Sequence, residues 1–226
     1  MLPFLEDSAV CIAILRLSFA DDALYDRLYA QASDVRRQKA DRLVRREDAV
    51  RCLGAEVLLR QTLHRCGLDA TLTPMIGAHG KPYLPVDGFH YNVSHGGQYV
   101  VLAYGKGEVG VDVEPILQSE RRIALAKRFF TPEEQQLILA KDGSMDTATR
   151  FTVAWTRKES YVKYTGEGLT QGVQGFSVDL CLPRGGITDA AGKRLPLATH
   201  TILTEDRHAI SLCGSFAQVN AEYVTI

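Results

Sequence analysis

The stretch "VGVDVEP" at residues 109–115 determines how the rest of the chain is interpreted. Valine at every second position predicts a β-strand, and Asp112 and Glu114 occupy the opposite alternation. Side chains two apart on a strand point to the same face, with their Cα atoms roughly 6–7 Å apart. Two such carboxylates repel each other unless a cation lies between them. The pair therefore indicates either the solvated face of an edge strand or part of a Mg²⁺ site that substrate phosphates complete.

Strands and long helices are predicted in the same order before and after this stretch. The first strand, at 9–17, lies about 100 residues before it, and long helices at 46–67 and 147–164 are separated by a similar distance. We therefore predict an α+β fold of two similar α+β halves with a pseudo-twofold relation. Each half would be a small antiparallel sheet packed on a long helix, and the predicted boundary separates residues 1–107 from residues 108–226.

Shorter elements complete the predicted halves. A Gly-Gly pair favours a tight hairpin, and threonine followed by proline is typical of a helix start. The remaining predicted elements are a helix at 21–33, hairpin strands at 89–94 and 98–104, a helix that starts at Thr131, and strands at 176–181, 199–204 and 207–213.

Length, charge and cysteine content limit the kinds of protein that this chain can be. The chain has 226 residues, a formal net charge of −1 and 46% hydrophobic residues, so it can build a core and has no overall attraction to nucleic acid or membranes. Five scattered cysteines without a CxxC pair argue against a disulfide framework and favour a reducing compartment. Acidic Glu6 and Asp7 argue against a signal peptide, and no apolar run approaches a membrane span. We predict a cytoplasmic monomer that binds neither nucleic acid nor membranes.

A third carboxylate lies on the predicted helix at 147–164, in "WTRKESYVKY". Glu159 and Lys163 are one helical turn apart and share a face with Trp155 and Val162. That face is expected to point inward. The pair is either an ordinary ion pair, which contributes little to stability, or a base and a leaving-group stabiliser beside a metal–phosphate site.

Polar residues in the first half suggest an anionic ligand. Ser94 and His95 end the strand in "NVSHGG", where a glycine turn offers free backbone N–H groups to a phosphate, although a lone histidine at a strand end is more often structural. The stretch at 36–51, "RRQKADRLVRREDAVR", holds seven basic residues against three acidic ones. It is either a solvated helical face or a set of phosphate ligands.

Three other chemistries are excluded by the pattern. A Ser-His hydrolase would need a G-x-S-x-G turn, which is missing. The glycines at 105, 107 and 110 match G-x-G-x-x-G, but a strand follows them where a dinucleotide site requires a helix. No P-loop motif is present.

Taken together, the motifs resemble those of the Sfp-type 4′-phosphopantetheinyl transferases. The resemblance covers residues 36 to 180, and the matching pieces occur in the family's order. They are the basic stretch at 36–51, "GKP" (80–82), "NVSHGG" (92–97), "GVDVEP" (110–115) and "WTRKESYVKYTGEGL" (155–169). Each motif is weak by itself, whereas the complete ordered set is a strong signal.

The resemblance implies an activity and a set of roles. Such enzymes move the phosphopantetheine arm of coenzyme A onto a serine of an apo acyl or peptidyl carrier protein and release 3′,5′-ADP. Asp112, Glu114 and Glu159 would bind Mg²⁺, or Mn²⁺ in its place. Glu159 would also be the base for the carrier serine, directly or through water, and Lys163 would neutralise charge on the departing ADP. The implied coenzyme A ligands are Arg36, Lys39, Arg51 and Lys81 for the adenine nucleotide with its 3′-phosphate, and Ser94 and His95 for the phosphates.

This chain departs from the family pattern at two positions, and two alternative functions are also considered. The family pattern often has lysine where this chain has Arg36, and Cys52 replaces a hydroxyl residue that can contact the nucleotide. One alternative is a Mg²⁺-dependent phosphohydrolase that acts on a nucleotide without a protein acceptor. The other is a non-catalytic module that binds carrier proteins, which would not need the three carboxylates. The sequence leaves open whether the carrier belongs to fatty acid, polyketide, nonribosomal peptide or siderophore synthesis.

Overall fold

The computed structural model describes residues 8–77, 79–140, 145–167 and 174–226. The residues considered for a signal peptide, Glu6 and Asp7, and the end of the "WTRKESYVKYTGEGL" motif lie outside the described residues. The elements are β1 (Ala9–Arg16), α1 (Asp22–Gln31), α2 (Asp34–Asp41), α3 (Arg46–Arg65), β2 (Met75–Ile76), β3 (Pro82–Tyr83), β4 (His90–Gly96), β5 (Tyr99–Gly105), β6 (Val109–Pro115), α4 (Glu120–Phe129), α5 (Pro132–Leu139), α6 (Thr147–Thr165), β7 (Phe176–Val178), β8 (Arg184–Asp189), β9 (Arg194–Leu203), β10 (His208–Gly214) and β11 (Gln218–Val224).

Two larger sheets pack face to face. The first has the strand order β11-β1-β5-β4, and the second has the order β6-β10-β9-β8-β7. Val109, Val111 and Val113 of β6 are buried against β1 and β5, in a core shared by both sheets. Helix α3 covers the outer face of the first sheet and α6 that of the second. The alternation in "VGVDVEP" therefore separates a valine face that meets the other sheet from a carboxylate face that meets α6.

The predicted long elements are confirmed and their ends have identifiable causes. Helix α6 begins where Asp146 accepts a hydrogen bond from the Thr149 amide, and it ends at Gly166 in the left-handed conformation. Helix α5 begins with a complete capping box between Thr131 and Glu134, as threonine followed by proline predicted. Strands β4 and β5 form the predicted antiparallel hairpin.

The first sheet differs from the prediction because it is not wholly antiparallel. Strand β11 runs parallel to β1, with Ala9 opposite Gln218 and Leu15 opposite Val224. Without β11, the buried strand β1 would leave an edge of unpaired backbone groups, and edges of this kind are normally covered. The apolar residues of β11 are not buried, since every residue of this strand is exposed or half-buried. This strand belongs to the predicted second half yet completes the first sheet, while the division at residue 107 and the pseudo-twofold relation stay predictions.

Within the described part of the chain, no helix has both the length and the apolar character that crossing a membrane requires.

Candidate active site

The site lies where the edges of the two sheets meet. Strand β4 is the outer strand of the first sheet and β6 that of the second. The side chain of Asn92 on β4 accepts a hydrogen bond from the Val111 amide of β6 at 2.9 Å, which joins the two edges. Sequence reasoning missed Asn92, although a polar residue inside an apolar strand is a detectable signal.

The two glycines of "NVSHGG" allow this close approach. A Cβ atom on Gly96 would overlap the carbonyl oxygen of Val113, and one on Gly97 would overlap the ring of His208. Gly97 also has a φ of 53°, in the left-handed region that favours glycine. The glycine pair therefore has a structural reason to exist, besides the phosphate contact predicted from its backbone N–H groups.

Three of the predicted site residues form one hydrogen-bonded group. The Lys163 ammonium donates to Asp112 Oδ1 at 2.6 Å and to Ser94 Oγ at 2.8 Å. Ser94 Oγ in turn donates to the same Asp112 oxygen at 2.9 Å. Asp112 and Ser94 are buried, whereas 29% of the Lys163 side chain is exposed. The group thus links β4, β6 and α6, and the ammonium reaches the solvent-accessible side.

The second carboxylate oxygen of Asp112 has a different environment. Oδ2 is buried and, among the residues that the structure describes, has no hydrogen-bond partner. Leaving a buried charged acceptor unsatisfied is costly, so such an atom in a folded protein calls for an explanation. A ligand that donates a proton or carries positive charge would supply the missing interaction.

Glu159 lies near Asp112 but does not pair with Lys163. Lys163 reaches Asp112, so the ordinary ion pair with Glu159, one of the two interpretations of the sequence, is not formed. Burial raises the pKa of Glu159, the negative charge of Asp112 raises it further, and Lys163 partly opposes the rise. The two carboxylates therefore repel each other in the metal-free protein, as the sequence pattern suggested for acids gathered in one place.

The fit of the predicted metal can be judged from these residues. Across the residues that the structure describes, no three His, Cys, Asp or Glu side chains are grouped so that they hold a metal ion by themselves. Mg²⁺ commonly binds through one or two carboxylates and completes its octahedron with water and substrate phosphates. The unpartnered Asp112 Oδ2 and the repulsion between Asp112 and Glu159 fit such an ion. Asp112, Glu114 and Glu159 remain the predicted ligands of such an ion.

His95 and Arg51 lie close to each other and to Lys163, and Arg51 brings a positive charge to this side of the site. Partial loss of solvation lowers the pKa of His95, and the nearby Arg51 charge lowers it further. The Arg51 guanidinium is held by the Gly97 carbonyl at 2.8 Å, by Asp48 at 2.8 Å and by stacking on Phe19. Among the described residues, its Nη2 group makes no hydrogen bond, so a pre-positioned donor remains for an anion.

The other predicted nucleotide ligands are not part of the Ser94–Asp112–Lys163 group. On α2, Lys39 is exposed and Arg36 is ion-paired with Glu56 at 3.3 Å, beside Cys52. The Arg36 charge still acts on Tyr91 of β4, so α2 borders the first sheet near the site. Arg36 lies 3.7 Å from Cys52, the residue next to Arg51 on α3, and among the described residues neither Arg36 nor Lys39 makes a hydrogen bond or ion pair with Asp112 or Glu159.

Lys81 makes an ion pair and hydrogen bonds within the protein that the sequence did not indicate. Its ammonium forms an ion pair with Glu108 at 2.6 Å and donates to the carbonyls of Val109 and Tyr164 at 3.2 and 3.0 Å. It therefore ties the GKP loop to the beginning of β6 and the end of α6. Glu108, which also contacts His90 at 2.9 Å, was not among the predicted residues.

Comparison with known proteins identifies the family. Residues 108–213 match the profile of the 4′-phosphopantetheinyl transferase superfamily. Over 158 residues the chain is 36% identical to a 4′-phosphopantetheinyl transferase of Bacillus subtilis and 34% identical to 4′-phosphopantetheinyl transferase Sfp of Bacillus subtilis (strain 168), in each case covering 69% of both chains. Over 208 residues it is 32% identical to 4′-phosphopantetheinyl transferase gsp of Aneurinibacillus migulanus, covering 91% of this chain and 85% of the relative.

These similarities place the chain in the 4′-phosphopantetheinyl transferase superfamily, and it is an enzyme of that class. Within the superfamily it belongs to the Sfp-type transferases, which confirms the resemblance found in the sequence motifs.

Proposed function

We propose that this enzyme transfers the 4′-phosphopantetheine arm of coenzyme A to a serine hydroxyl of an apo acyl or peptidyl carrier protein. The second product is 3′,5′-ADP, and the reaction requires Mg²⁺. The observation that carries the proposal is the group in which Lys163 and Ser94 bind one oxygen of Asp112, while the other oxygen has no hydrogen-bond partner in the described part of the chain. A cation, a carboxylate pair and anion-binding donors close to one another suit a substrate that contains a pyrophosphate.

The proposed step exchanges one phosphorus–oxygen bond for another. The serine oxygen attacks the phosphorus that carries the pantetheine, and the bond from that phosphorus to 3′,5′-ADP breaks with its electron pair going to ADP. When bound, Mg²⁺ would neutralise charge on the pyrophosphate oxygens. The chain's own residues must then remove the serine proton, orient the phosphates and stabilise the leaving group.

Glu159 is the proposed acceptor of the serine proton, directly or through water. Burial and the Asp112 charge raise the pKa of Glu159, which increases its basicity over that of an ordinary carboxylate. Its position on α6, one turn before Lys163, places the base and a cation on the same face of the helix.

Lys163 and Arg51 are the proposed partners of the leaving nucleotide. An ammonium has three N–H donors, and Lys163 uses two of them on Asp112 and Ser94. The remaining donor would bind the ADP oxygen as negative charge develops there. Arg51 Nη2 would bind the 3′-phosphate, with Arg36 and Lys39 as further nucleotide contacts, and Ser94 and His95 would bind the phosphates. Lys81, whose three donors are used on Glu108, Val109 and Tyr164, would act on coenzyme A only through the loop that it holds in place.

Mass spectrometry of a carrier protein tests the proposal. An apo carrier incubated with the enzyme, coenzyme A and Mg²⁺ should gain the mass of one phosphopantetheine group. The carrier with its acceptor serine replaced by alanine is the control and should gain none. Release of nucleotide without any change in carrier mass would instead support the phosphohydrolase alternative, and neither product would contradict both.

Metal removal supplies an independent prediction. Enzyme treated with a chelator should lose transfer activity, because the repulsion between Asp112 and Glu159 and the substrate pyrophosphate would be left without a compensating cation. Added Mg²⁺ should restore activity, and Mn²⁺ should restore it to a measurable extent. Transfer at an undiminished rate in the presence of excess chelator would contradict the metal requirement.

A further inference from the structure

The corner between α2 and α3 exposes apolar side chains. Val44 is 100% exposed, Leu43 beside it is 37% exposed, and Val35 of α2 is 78% exposed. Val35 and Arg42 are seven residues apart, so they share one face of α2, and that face leads into Leu43 and Val44. We call Val35, Arg42, Leu43, Val44 and Arg45 the corner strip. Apolar residues exposed together, unlike single ones, are typical of a surface that contacts another molecule.

Arg42 and Arg45 are the cations of the corner strip. Both are exposed, and among the described residues neither side chain makes a hydrogen bond or an ion pair. The other arginines of the stretch at 36–51 are paired, namely Arg36 with Glu56, Arg37 with Asp34, Arg46 with Asp22 and Arg51 with Asp48. The strip therefore carries positive charge that no ion pair within the described chain neutralises.

Arg45 occupies a position where it does not stabilise the fold. It is the N-cap residue of α3, and its side chain caps no backbone N–H group. Ser, Thr, Asp and Asn are preferred at N-caps, and the helix dipole disfavours a cation there. Helices α1, α2, α5 and α6 do begin with a capping Asp, Ser or Thr side chain. The arginine is therefore better explained by a contact outside the chain than by the stability of α3.

The corner strip borders the proposed site. Arg51, six residues after Arg45 on α3, donates to the Gly97 carbonyl at 2.8 Å. Six residues of helix span about 9 Å along the axis. A protein interface of standard size covers about 800 Å² on each partner, which reaches roughly 15 Å from its centre. A carrier protein that presents its serine to the site would therefore extend over the strip.

We infer that the corner strip is a docking surface for the apo carrier protein, and that the carrier presents an acidic surface with an apolar side chain next to its acceptor serine. The inference rests on the proposed function, which supplies the protein partner. Charge complementarity determines the chemistry of that partner, because unpaired guanidinium groups bind carboxylates and repel basic surfaces. Val44, the most exposed residue of the strip, would be buried against the apolar side chain of the carrier.

Substitution of Arg45 separates docking from stability. Arg45→Asn should raise the melting temperature, because asparagine caps a helix and arginine does not. The KM for the carrier should rise about threefold to tenfold, with kcat and the KM for coenzyme A unchanged. Arg45→Asp should raise the carrier KM further, and about 0.5 M NaCl should reduce its difference from wild type, because salt screens exposed charges. Val44→Ser should raise the carrier KM about threefold or more, in a manner that salt does not reduce.

Direct binding and a matched control make the test specific. An apo acyl carrier protein and an apo peptidyl carrier protein, each with its acceptor serine replaced by alanine, are titrated onto the immobilised enzyme by surface plasmon resonance. Arg45→Asp and Val44→Ser should weaken binding of the carrier that the wild-type enzyme loads. Lys193→Asp makes the same change of charge at an exposed cation in the turn between β8 and β9, and β10 lies between those strands and β6. It should leave carrier binding and carrier KM unchanged.

The outcomes separate this inference from the proposed function. Normal carrier loading with unchanged carrier KM in Arg45→Asp and Val44→Ser would overturn the inference and leave the proposed function standing. A lower melting temperature in Arg45→Asn, or a rise in the KM for coenzyme A in place of the carrier KM, would also overturn it. Carrier binding that is weakened by Arg45→Asp, without any loading by the wild-type enzyme, would remove the proposed function and support the docking surface. A wild-type enzyme that neither binds nor loads a carrier would overturn both.

Discussion

Glu159 has two properties that disfavour a charged carboxylate in a folded protein. It is half-buried, and the charge nearest to it on β6 is another carboxylate, Asp112. Both influences raise the pKa of Glu159, so the folded state binds its proton more tightly than the unfolded state does. The stability of the metal-free protein therefore falls as the pH rises from the ordinary glutamate value through the raised one.

The first prediction concerns Glu159→Gln. At neutral pH this change should leave the melting temperature of the metal-free protein unchanged or raise it, because it removes a charge that the fold disfavours. Transfer to a carrier protein should fall by about three orders of magnitude or more, because the base and a proposed metal ligand are lost together. Thermal unfolding and a carrier-loading assay measure the two effects. Glu205→Gln, at an exposed position, should change neither, and normal loading by Glu159→Gln would remove the proposed mechanism.

The second prediction concerns Arg51→Ala. The guanidinium is fixed by Gly97, Asp48 and Phe19 and leaves Nη2 available, so it should bind substrate in the ground state and the transition state alike. The KM for coenzyme A should rise about tenfold or more with little change in kcat. Arg60→Ala, on the same helix and paired with Glu56, should have no such effect.

Comparing coenzyme A with the form that lacks the 3′-phosphate shows which part of the molecule Arg51 recognises. If Arg51 binds that phosphate, the variant should lose affinity for coenzyme A but not for the dephosphorylated form. An equal loss for both substrates would show that Arg51 binds another part of the molecule.

The site residues were predictable from sequence to a greater extent than their partners. The motifs indicated Ser94, Asp112 and Lys163, and the structure places them within hydrogen-bond distance of one another. Helical spacing suggested Glu159 as the partner of Lys163, but the ammonium turns to Asp112. Local periodicity describes neighbours on one element, whereas this choice depends on how α6 lies across the second sheet.

At the scale of elements, the junction of β4 with β6 depends on glycine. No regular ladder joins these two strands, and their approach is fixed by the Asn92 side chain and by the absence of a Cβ atom at Gly96 and Gly97. Since β4 carries Ser94 and β6 carries Asp112, any widening of this junction separates the groups that form the site.

The third prediction follows from that geometry. Gly96→Ala would place a methyl group against the Val113 carbonyl, which belongs to the backbone and cannot move independently. We expect a loss of stability of about 1–3 kcal/mol, typical of overpacking, and a larger loss of transfer activity. Chemical denaturation and carrier loading measure these effects. Gly107→Ala, which has open space around it, is the control, and unchanged activity in Gly96→Ala would show that the strand junction tolerates displacement.

Element prediction from sequence succeeded where the apolar pattern was strong. The long helices and the β4–β5 hairpin have clear periodicity and clear end signals, and the structure confirms them. Strand β11 was missed because it lies at an edge and alternates only weakly between exposed and half-buried residues. Its pairing with β1 is a long-range contact that no local pattern records.

At the scale of the whole molecule, Asp206 connects the two sheets. This residue lies in the turn between β9 and β10. It accepts hydrogen bonds from Arg16 of β1, from Gln98 in the turn before β5 and from Tyr99 of β5, as well as from Thr204. Burial by itself would raise the pKa of Asp206, but these hydrogen bonds and the neighbouring positive charges lower it to about 2. The carboxylate form is therefore favoured by the fold.

The fourth prediction uses the sign of that shift. A lowered pKa means that the stabilisation is complete above the unfolded value and is lost as the pH falls toward about 2. Asp206→Asn should lower the free energy of unfolding by about 2 kcal/mol at neutral pH, and its difference from wild type should shrink between about pH 4 and pH 2. Urea unfolding at several pH values measures this, with exposed Asp87→Asn as the control. A difference that does not depend on pH would show that packing, and not charge, accounts for the loss.

The parallel pairing of β1 with β11 also affects how the protein folds while it is being synthesised. Strand β1 ends at residue 16 and β11 begins at residue 218, so about 200 residues must be added before the first sheet can acquire its outer strand. At about 5–20 residues per second, this takes roughly 10–40 s on the ribosome. During that interval the nascent chain exposes the edge of a buried, β-branched strand, which is when chaperone binding should matter most to this enzyme.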